Sequence, residues 1–531
     1  MNHSMDFKFL NIFVLLFFLS PLFIDASTAS EIRTMGDTLY IESDILIPEN
    51  DSLIIDPGKI VLFMGHYSIH VQGKLVASGT QSDTIVFTVA DTTGFSDIHS
   101  NAGGWNGIRF EDTPATNDSS LFDFCRFEYG KAVGDSANRY GGAIRLINFN
   151  NVRISNSEFS NNYSFFWGGS VYAQKADIII DHCLFTNNYS GNDSLVYGYG
   201  GAVCFVSSNP FISHSRFNNN TSTGIGGGIS FEFSNPRMIN CIFDQNYSGL
   251  GGGIGFLRCS PDRGIANILV YDNFAQFFGG GIAVVAASPL MTNLTVFGNY
   301  ASMGGGYYCN DYSDPKLYNS ILWGNLSADG VFGSQVWIWD VNSEPGFYHC
   351  NIEYGPSQFG GSTFIGQYIN NISSIPGLSN PQDNDFSLLQ SSPCINSGTP
   401  DTAGLLLPDF DLAMNQRIMH TIIDMGAYEY DGPLGSPILK MLVSKVEVSP
   451  NPVTDHSRII FHTDLPGIVS ISIRSAKGDV IETFNFRANH SGNHQVELGS
   501  LMKNQENVPA GIYFVEIRTK TQSGSAKVLI Q

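Results

Sequence analysis

The sequence predicts an all-β chain, a parallel β-helix solenoid followed by a small antiparallel β-sandwich. Three observations carry the prediction: a repeated glycine landmark, a second landmark locked to it at a steady period, and a late switch to strands that carry neither. The glycine landmark reads GGAI from Gly141, GGSV from Gly168, GGAV from Gly200, GGGI from Gly226, Gly251 and Gly279, and GGGY from Gly304. The second, apolar-x-x-Asn, starts at Phe159, Phe185, Phe217, Phe243, Val270, Val296 and Leu322, so successive starts differ by 26, 32, 26, 27, 26 and 26 residues. A period that steady means one structural unit per repeat.

The unit is a coil of short strands. The repeats are rich in Ile, Val, Phe and Tyr, alternate with polar residues and are cut by Gly, Asn and Pro, which excludes helical repeats. Roughly 22 to 30 residues with two or three strands make one turn of a parallel β-helix, its coils about 4.8 Å apart. The Gly pair suits a tight corner where φ is positive or backbones approach closely. The Asn of the second landmark suits the opposite corner, where its amide can satisfy backbone groups and stack on the same Asn in adjacent coils.

Alternation then assigns faces. The residue after each GG[A/S/G] points inward, which places Ile144, Leu146, Val203, Phe205, Ile229, Phe231, Ile254, Phe256, Ile282 and Val284 in one continuous core. Cys125, Cys183, Cys241 and Cys350 sit two residues before the apolar landmark position and share its inward face, with Ser157 and Ser215 in the same column. Cys183 and Cys241 are two coils apart, about 10 Å, beyond disulfide reach. These cysteines are therefore expected as small, buried, unpaired core residues. Cys394 has no place in this pattern.

The ends carry different signals. Lys8 precedes an apolar run at 9–19, followed by Pro21 and small residues, the pattern of a signal peptide over 1–28 with cleavage between Ala26 and Ala29. No later segment is apolar enough to span a membrane. Residues 37–90 read as short alternating strands that open and cap the solenoid. Of the 531 residues, 43% are hydrophobic and 14% charged, with 48 acids against 27 bases and a net charge of −21. Nucleic acid and anionic membranes are excluded as partners, since both need clustered Lys and Arg. No cofactor motif is evident; the acid excess suits an extracellular chain that must stay soluble, or one that holds divalent cations such as calcium.

The GGAI and FxxN repeats, with FSLLQSSPCINSGTPD from Phe386 and DMGAYEY from Asp424, resemble secreted bacterial right-handed parallel β-helix proteins over residues 31–432. The paired landmarks are also similar to those of chlamydial polymorphic outer-membrane proteins, which are surface adhesins. That scaffold carries pectin and alginate lyases as well as adhesins, so the resemblance implies fold and leaves activity open. After a linker at 433–445, residues 446–531 alternate as strands of a sandwich. SPNP with Asn451 and Pro452, GIYFVEI with Gly511 and Tyr513, and the final strand with Lys527 resemble the C-terminal sorting domain of the type IX secretion system of Bacteroidota. The resemblance implies passage through the periplasm, handling by that secretion machinery, and release or display at the outer cell surface.

For function, two outward columns follow the glycine landmark. The first reads Arg145, Tyr172, Cys204, Ser230, Gly255, Ala283, Tyr308 and Trp337; the second reads Ile147, Gln174, Val206, Glu232, Leu257, Val285, Asn310 and Trp339. No carboxylate shares a register with Glu232, and no basic pair is placed to neutralise a uronate. His182 and His214 read as corner or surface residues. In VWIW, Trp337 and Trp339 project from one face while Val336 and Ile338 fill the core, and Tyr308 lies one coil away. Trp337, Trp339, Tyr308, Tyr172 and Glu232 are thus the candidate binding residues, for a polysaccharide or another cell-surface ligand. Against this, the insert at 326–332 could fold over the tryptophans and leave them as packing. The reading favoured is binding or adhesion. The alternative is a polysaccharide lyase or glycoside hydrolase with its catalytic residues in the loops at 189–200 or 324–346.

Overall fold

The computed structural model describes residues 32–432, 441–442 and 446–530, apart from 136–137, 194–196, 260, 329, 331, 420–421, 455, 464–465, 476–479, 499–507, 510 and 520–521. The signal peptide expected over 1–28 and most of the expected linker lie outside the described residues.

One coil shows how the repeat becomes structure. Ile229–Glu232 runs along a first sheet, Phe233 turns the chain with a φ of 50°, and Arg237–Asp244 runs along a second sheet that bends at Asn240, φ 53°. Gln245, φ 57°, makes the next corner, Tyr247–Leu250 forms a third sheet, and Gly251, φ 65°, returns the chain to the first. Stacking such coils in parallel register, for example Ile229 on Ile254 and Phe231 on Phe256, builds sheets of 12, 22 and 8 strands. The solenoid is thus a right-handed parallel β-helix of about 12 turns.

Corner chemistry follows the backbone. At the bend in the second sheet, Asn156, His182, His214, Asn240, Asn267, Asn293, Asn319 and His349 all hold φ between 47° and 58°. Asn and His enter that region more readily than most residues. The two glycines of each landmark have different duties. Gly226 has a φ of 72°, whereas a Cβ on Gly227 would overlap the Gly252 carbonyl and the Tyr247 backbone one coil on.

Inside, the predicted inward residues are all buried. The first residue of the second landmark stacks from coil to coil: Phe127, Phe159, Phe185, Phe217 and Phe243 lie 4.5, 4.9, 4.8 and 4.6 Å apart by ring centroid, within 11° of parallel. All eight cysteines are free and buried, as the register argument requires for the four in the core column. Their neighbours in that column donate and accept in turn: the Cys125 and Cys183 amides donate to the Ser157 and Ser215 hydroxyls at 3.0 and 3.1 Å.

The landmark Asn forms a buried chain of amides. Each side-chain N–H of Asn162, Asn188, Asn220, Asn246, Asn273 and Asn299 donates to the Oδ1 of the next rung at 2.9 to 3.0 Å, ending on Asn325. Asn325 donates to the Gln335 amide oxygen at 2.6 Å, and Gln335 donates to the Glu353 carboxylate at 2.7 Å. All the dipoles point one way, so their positive end meets an anion, the arrangement a helix terminus also favours.

Both ends of the core are closed. Ile32–Met35 pairs antiparallel with Thr38–Ile41 at the start. Phe347, Phe359, Phe364 and Tyr368 cluster on the last coil. From about residue 374 the chain folds back over the outer face of the second sheet. Leu378, Phe386, Leu388, Cys394, Met425 and Tyr428 pack there on Leu269, Tyr271 and Ile321, which gives Cys394 its place. Corner asparagines anchor this cover: Asn293 donates to the Asp424 and Gly426 carbonyls at 2.8 and 3.1 Å, and Asn319 accepts from the Thr399 amide at 2.7 Å. The DMGAYEY phrase is therefore a clamp on the corner column. Beyond it, a five-stranded and a three-stranded sheet enclose Ile459, Phe461, Ile471, Ile473, Val515, Ile517 and Val528 as the core of the second module.

Candidate functional site

The first outward column on the glycine sheet forms in the predicted register, through Tyr172 on Cys204, Cys204 on Ser230, Gly255 on Ala283, and Tyr308 on Trp337. It does not, however, face solvent: Tyr172, Cys204, Ser230, Ala283 and Tyr308 are all buried. The cause is the residue just before each glycine pair, Tyr140, Trp167, Tyr199, Ile225, Leu250 and Phe278 in successive coils. These side chains lie over the column as a second packed layer. The Tyr140 ring is 4.9 Å from Tyr172, Trp167 stacks on Tyr199 at 5.1 Å, and Phe278 stacks on Tyr308 at 4.7 Å. Burial accordingly pushes the Tyr172 and Tyr308 hydroxyls far above their ordinary pKa. The signal was present in the sequence, since a large apolar residue precedes each of these glycine pairs.

The tryptophans part company. Trp337 packs edge-on at 6.2 Å against Phe332 of the insert and against the adjoining backbones of Gly333 and Gly360. Trp339 is 50% exposed and sits edge-to-face on Phe278 at 5.1 Å, 71° between planes, with exposed Phe277 next in the chain. The structure therefore joins Trp339 to Tyr308 through Phe278, a residue the column reading passed over. Asp340 beside it accepts from the Asp311 amide at 2.7 Å, the Asn342 amide at 2.8 Å and the Ser343 hydroxyl at 2.8 Å. Burial alone would raise that carboxyl, but these bonds outweigh it and hold it below its usual range.

Tyr172 and Glu232 lie apart from this group. Glu232 is four coils from the Trp339 row, is buried, and accepts from Arg258 at 3.1 Å. The Arg258 guanidinium in turn covers the Phe233 ring at 5.4 Å.

In the second module the three motif phrases meet. Asn451 donates to the Lys527 carbonyl at 3.0 Å and accepts from the Leu529 amide at 2.9 Å, so its side chain pairs with the final strand as a neighbouring backbone would. Pro452 follows a cis peptide bond. Gly511 and Tyr513 pair with Ile530 and Val528, and the buried Tyr513 hydroxyl donates to the Pro509 carbonyl at 2.8 Å. Among the described residues no helix is long and apolar enough to cross a membrane.

Comparison with known proteins agrees with both modules. The family model described as "Right handed beta helix region" matches residues 96–289, and that described as "Secretion system C-terminal sorting domain" matches 447–531. No curated protein matches. Among solved structures, the chain is similar to the enzymatically active domain of bacteriophage CBA120 tailspike protein 4, at 10% identity and a TM-score of 0.19. The match covers 85% of this chain and 59% of the tailspike chain, so this chain spans less than two thirds of its length. The chain is a right-handed β-helix protein with a type IX secretion sorting domain at its C-terminus, secreted or held at the cell surface.

Proposed function

We propose that the exported solenoid acts by binding or adhesion, and that the platform of Trp339, Phe278 and Phe277 takes the apolar face of a sugar ring. The observation that carries this reading is the half-exposed Trp339 ring braced edge-on by Phe278. A large ring left in water, yet already held in place, gains by covering its face and loses little conformational freedom in doing so. Tyr308 supports the platform from beneath, and Trp337 with Phe332 fixes the insert beside it. Tyr172 and Glu232, four and more coils away, serve packing and an ion pair.

A hydrolase or lyase remains as a second reading because of one group. The Glu158 carboxyl is pushed up to about 7 by burial, against the pull of Arg126 and with help from Glu128. It lies on the outer face of the second sheet, in a cleft with Arg126 and Arg216. A carboxyl poised near neutrality suits a general acid.

Incubating the chain with neutral, amino and uronate polysaccharides, following retention and cleavage together, separates the two. Retention without cleavage, lost in a Phe277→Ala, Trp339→Ala double variant, supports binding. Cleavage abolished by Glu158→Gln supports the enzyme.

A further inference from the structure

The corner column of the second sheet is asparagine in most coils, but two adjacent coils place His182 and His214 there, φ 53° and 47°. Their rings stack 4.5 Å apart, 18° from parallel, a pairing made by one coil of the solenoid and not by sequence spacing. Both Nδ1 atoms lie 3.0 Å from Oδ1 of Asp181. The Ser213 hydroxyl donates to that same oxygen at 2.6 Å. Three donors thus converge on one oxygen that has two lone pairs to offer. Imidazole Nδ1 can hold either a proton or a metal, and one ion in place of the two N–H protons removes the excess.

The ligand atoms of Asp181, His182 and His214 all lie within 4.8 Å of one another. Zinc bonds to imidazole nitrogen and carboxylate oxygen span about 2.0 to 2.2 Å, a length that such a triangle accommodates. We propose that Asp181, His182 and His214 form a surface site for a divalent transition ion of the zinc, nickel and copper class. Two imidazoles and a single carboxylate select these ions over calcium, which takes six or more oxygens. The His182 side chain is 56% exposed, so its ring is free to turn toward the ion and the remaining coordination positions open to water.

Two features set the affinity. Arg153 lies 3.8 Å from Asp181 Oδ2 and opposes a cation, while Arg126, Glu158 and Arg216 line the cleft beside the histidines. The Nε2 of His214 meets the Asn240 amide nitrogen at 3.3 Å, and Asn240 accepts from Asn267 at 2.9 Å. That contact favours the proton on Nδ1. Ligation by Nδ1 moves it to Nε2, where an acceptor at position 240 would help, since carboxylate partners of metal-bound histidines strengthen ligation.

The test is calorimetric titration of the full chain with zinc chloride at neutral pH, with calcium chloride as comparison. We expect one zinc ion per chain, weakened at least about tenfold by His182→Asn or His214→Asn. Asn240→Asp should tighten binding. Asparagine already occupies this corner at positions 156 and 240, so the two His→Asn variants keep the turn, and unchanged thermal unfolding without metal would verify it. No zinc binding by the parent chain, or equal binding by the His182→Asn, His214→Asn double variant, would overturn the proposal.

Discussion

Replacing Asn220 by alanine removes four hydrogen bonds at one buried position. Its Oδ1 accepts from the Asn188 amide at 3.0 Å and the Asn188 side chain at 2.9 Å, and its Nδ2 donates to the Phe185 carbonyl and to Asn246 Oδ1, both at 3.0 Å. At about 1 kcal/mol for each bond whose partner stays buried, the loss is about 4 kcal/mol. Asn246→Ala also removes four, of which the Asn220 to Asn246 bond is common to both. The double variant therefore loses seven bonds instead of eight, a coupling of about 1 kcal/mol. Asn220 and Asn325 share no bond, and their effects should add. Denaturant unfolding followed by circular dichroism reads the parent, the three single variants and the two double variants. A loss below about 1 kcal/mol for Asn220→Ala would refute the ladder as a stabilising element, and equal coupling for near and distant pairs would refute its chain-like connectivity.

Three further outcomes follow. Burial pushes the Cys183, Cys241 and Cys350 thiols up to about 12 and those of Cys259 and Cys394 up to about 11, so a thiol reagent at pH 8 should leave the native chain unlabelled and modify all eight cysteines after unfolding. Gly227→Ala drives a Cβ into backbone one coil away and should cost about 3 kcal/mol, whereas Gly330→Ala, with nothing within 4 Å, should cost about 1 kcal/mol for its left-handed φ alone; unfolding midpoints compare them. Burial lowers the His66 pKa, against a bond to the Lys131 carbonyl, so the unfolded chain binds the proton more tightly. Stability should then fall as pH drops below about 6.5, and His66→Gln should flatten that part of the profile.

The repeat was legible because a solenoid writes its contacts into its period. A landmark every 26 or so residues fixed the register, the register fixed the inward face, and the inward face decided the cysteines. The Asn ladder was legible for the same reason, but its end was not. Gln335 and Glu353 stand outside the landmark pattern, and only the folded insert brings them to Asn325. Surface assignment went astray where alternation was taken to mean exposure. An outward residue is exposed only if nothing covers it, and here Tyr140, Trp167, Tyr199 and Phe278 cover Tyr172, Cys204 and Tyr308. His182 and His214 read as corner or surface residues one by one, but their stacking was not legible, because 32 residues separate them in the chain and one coil in space. The fold-back over the second sheet leaves no periodic trace, since its grip is on Asn293 and Asn319, which look like the corner asparagines of most other coils.

The most direct test of a binding role is co-sedimentation of the chain with insoluble neutral polysaccharides, comparing the parent with Trp339→Ala. Supported aromatic stacking is worth about 1 to 2 kcal/mol, so the account predicts retention of the parent and roughly five- to thirtyfold weaker binding by the variant. Equal retention of both proteins, or none by either on any polymer, would contradict it.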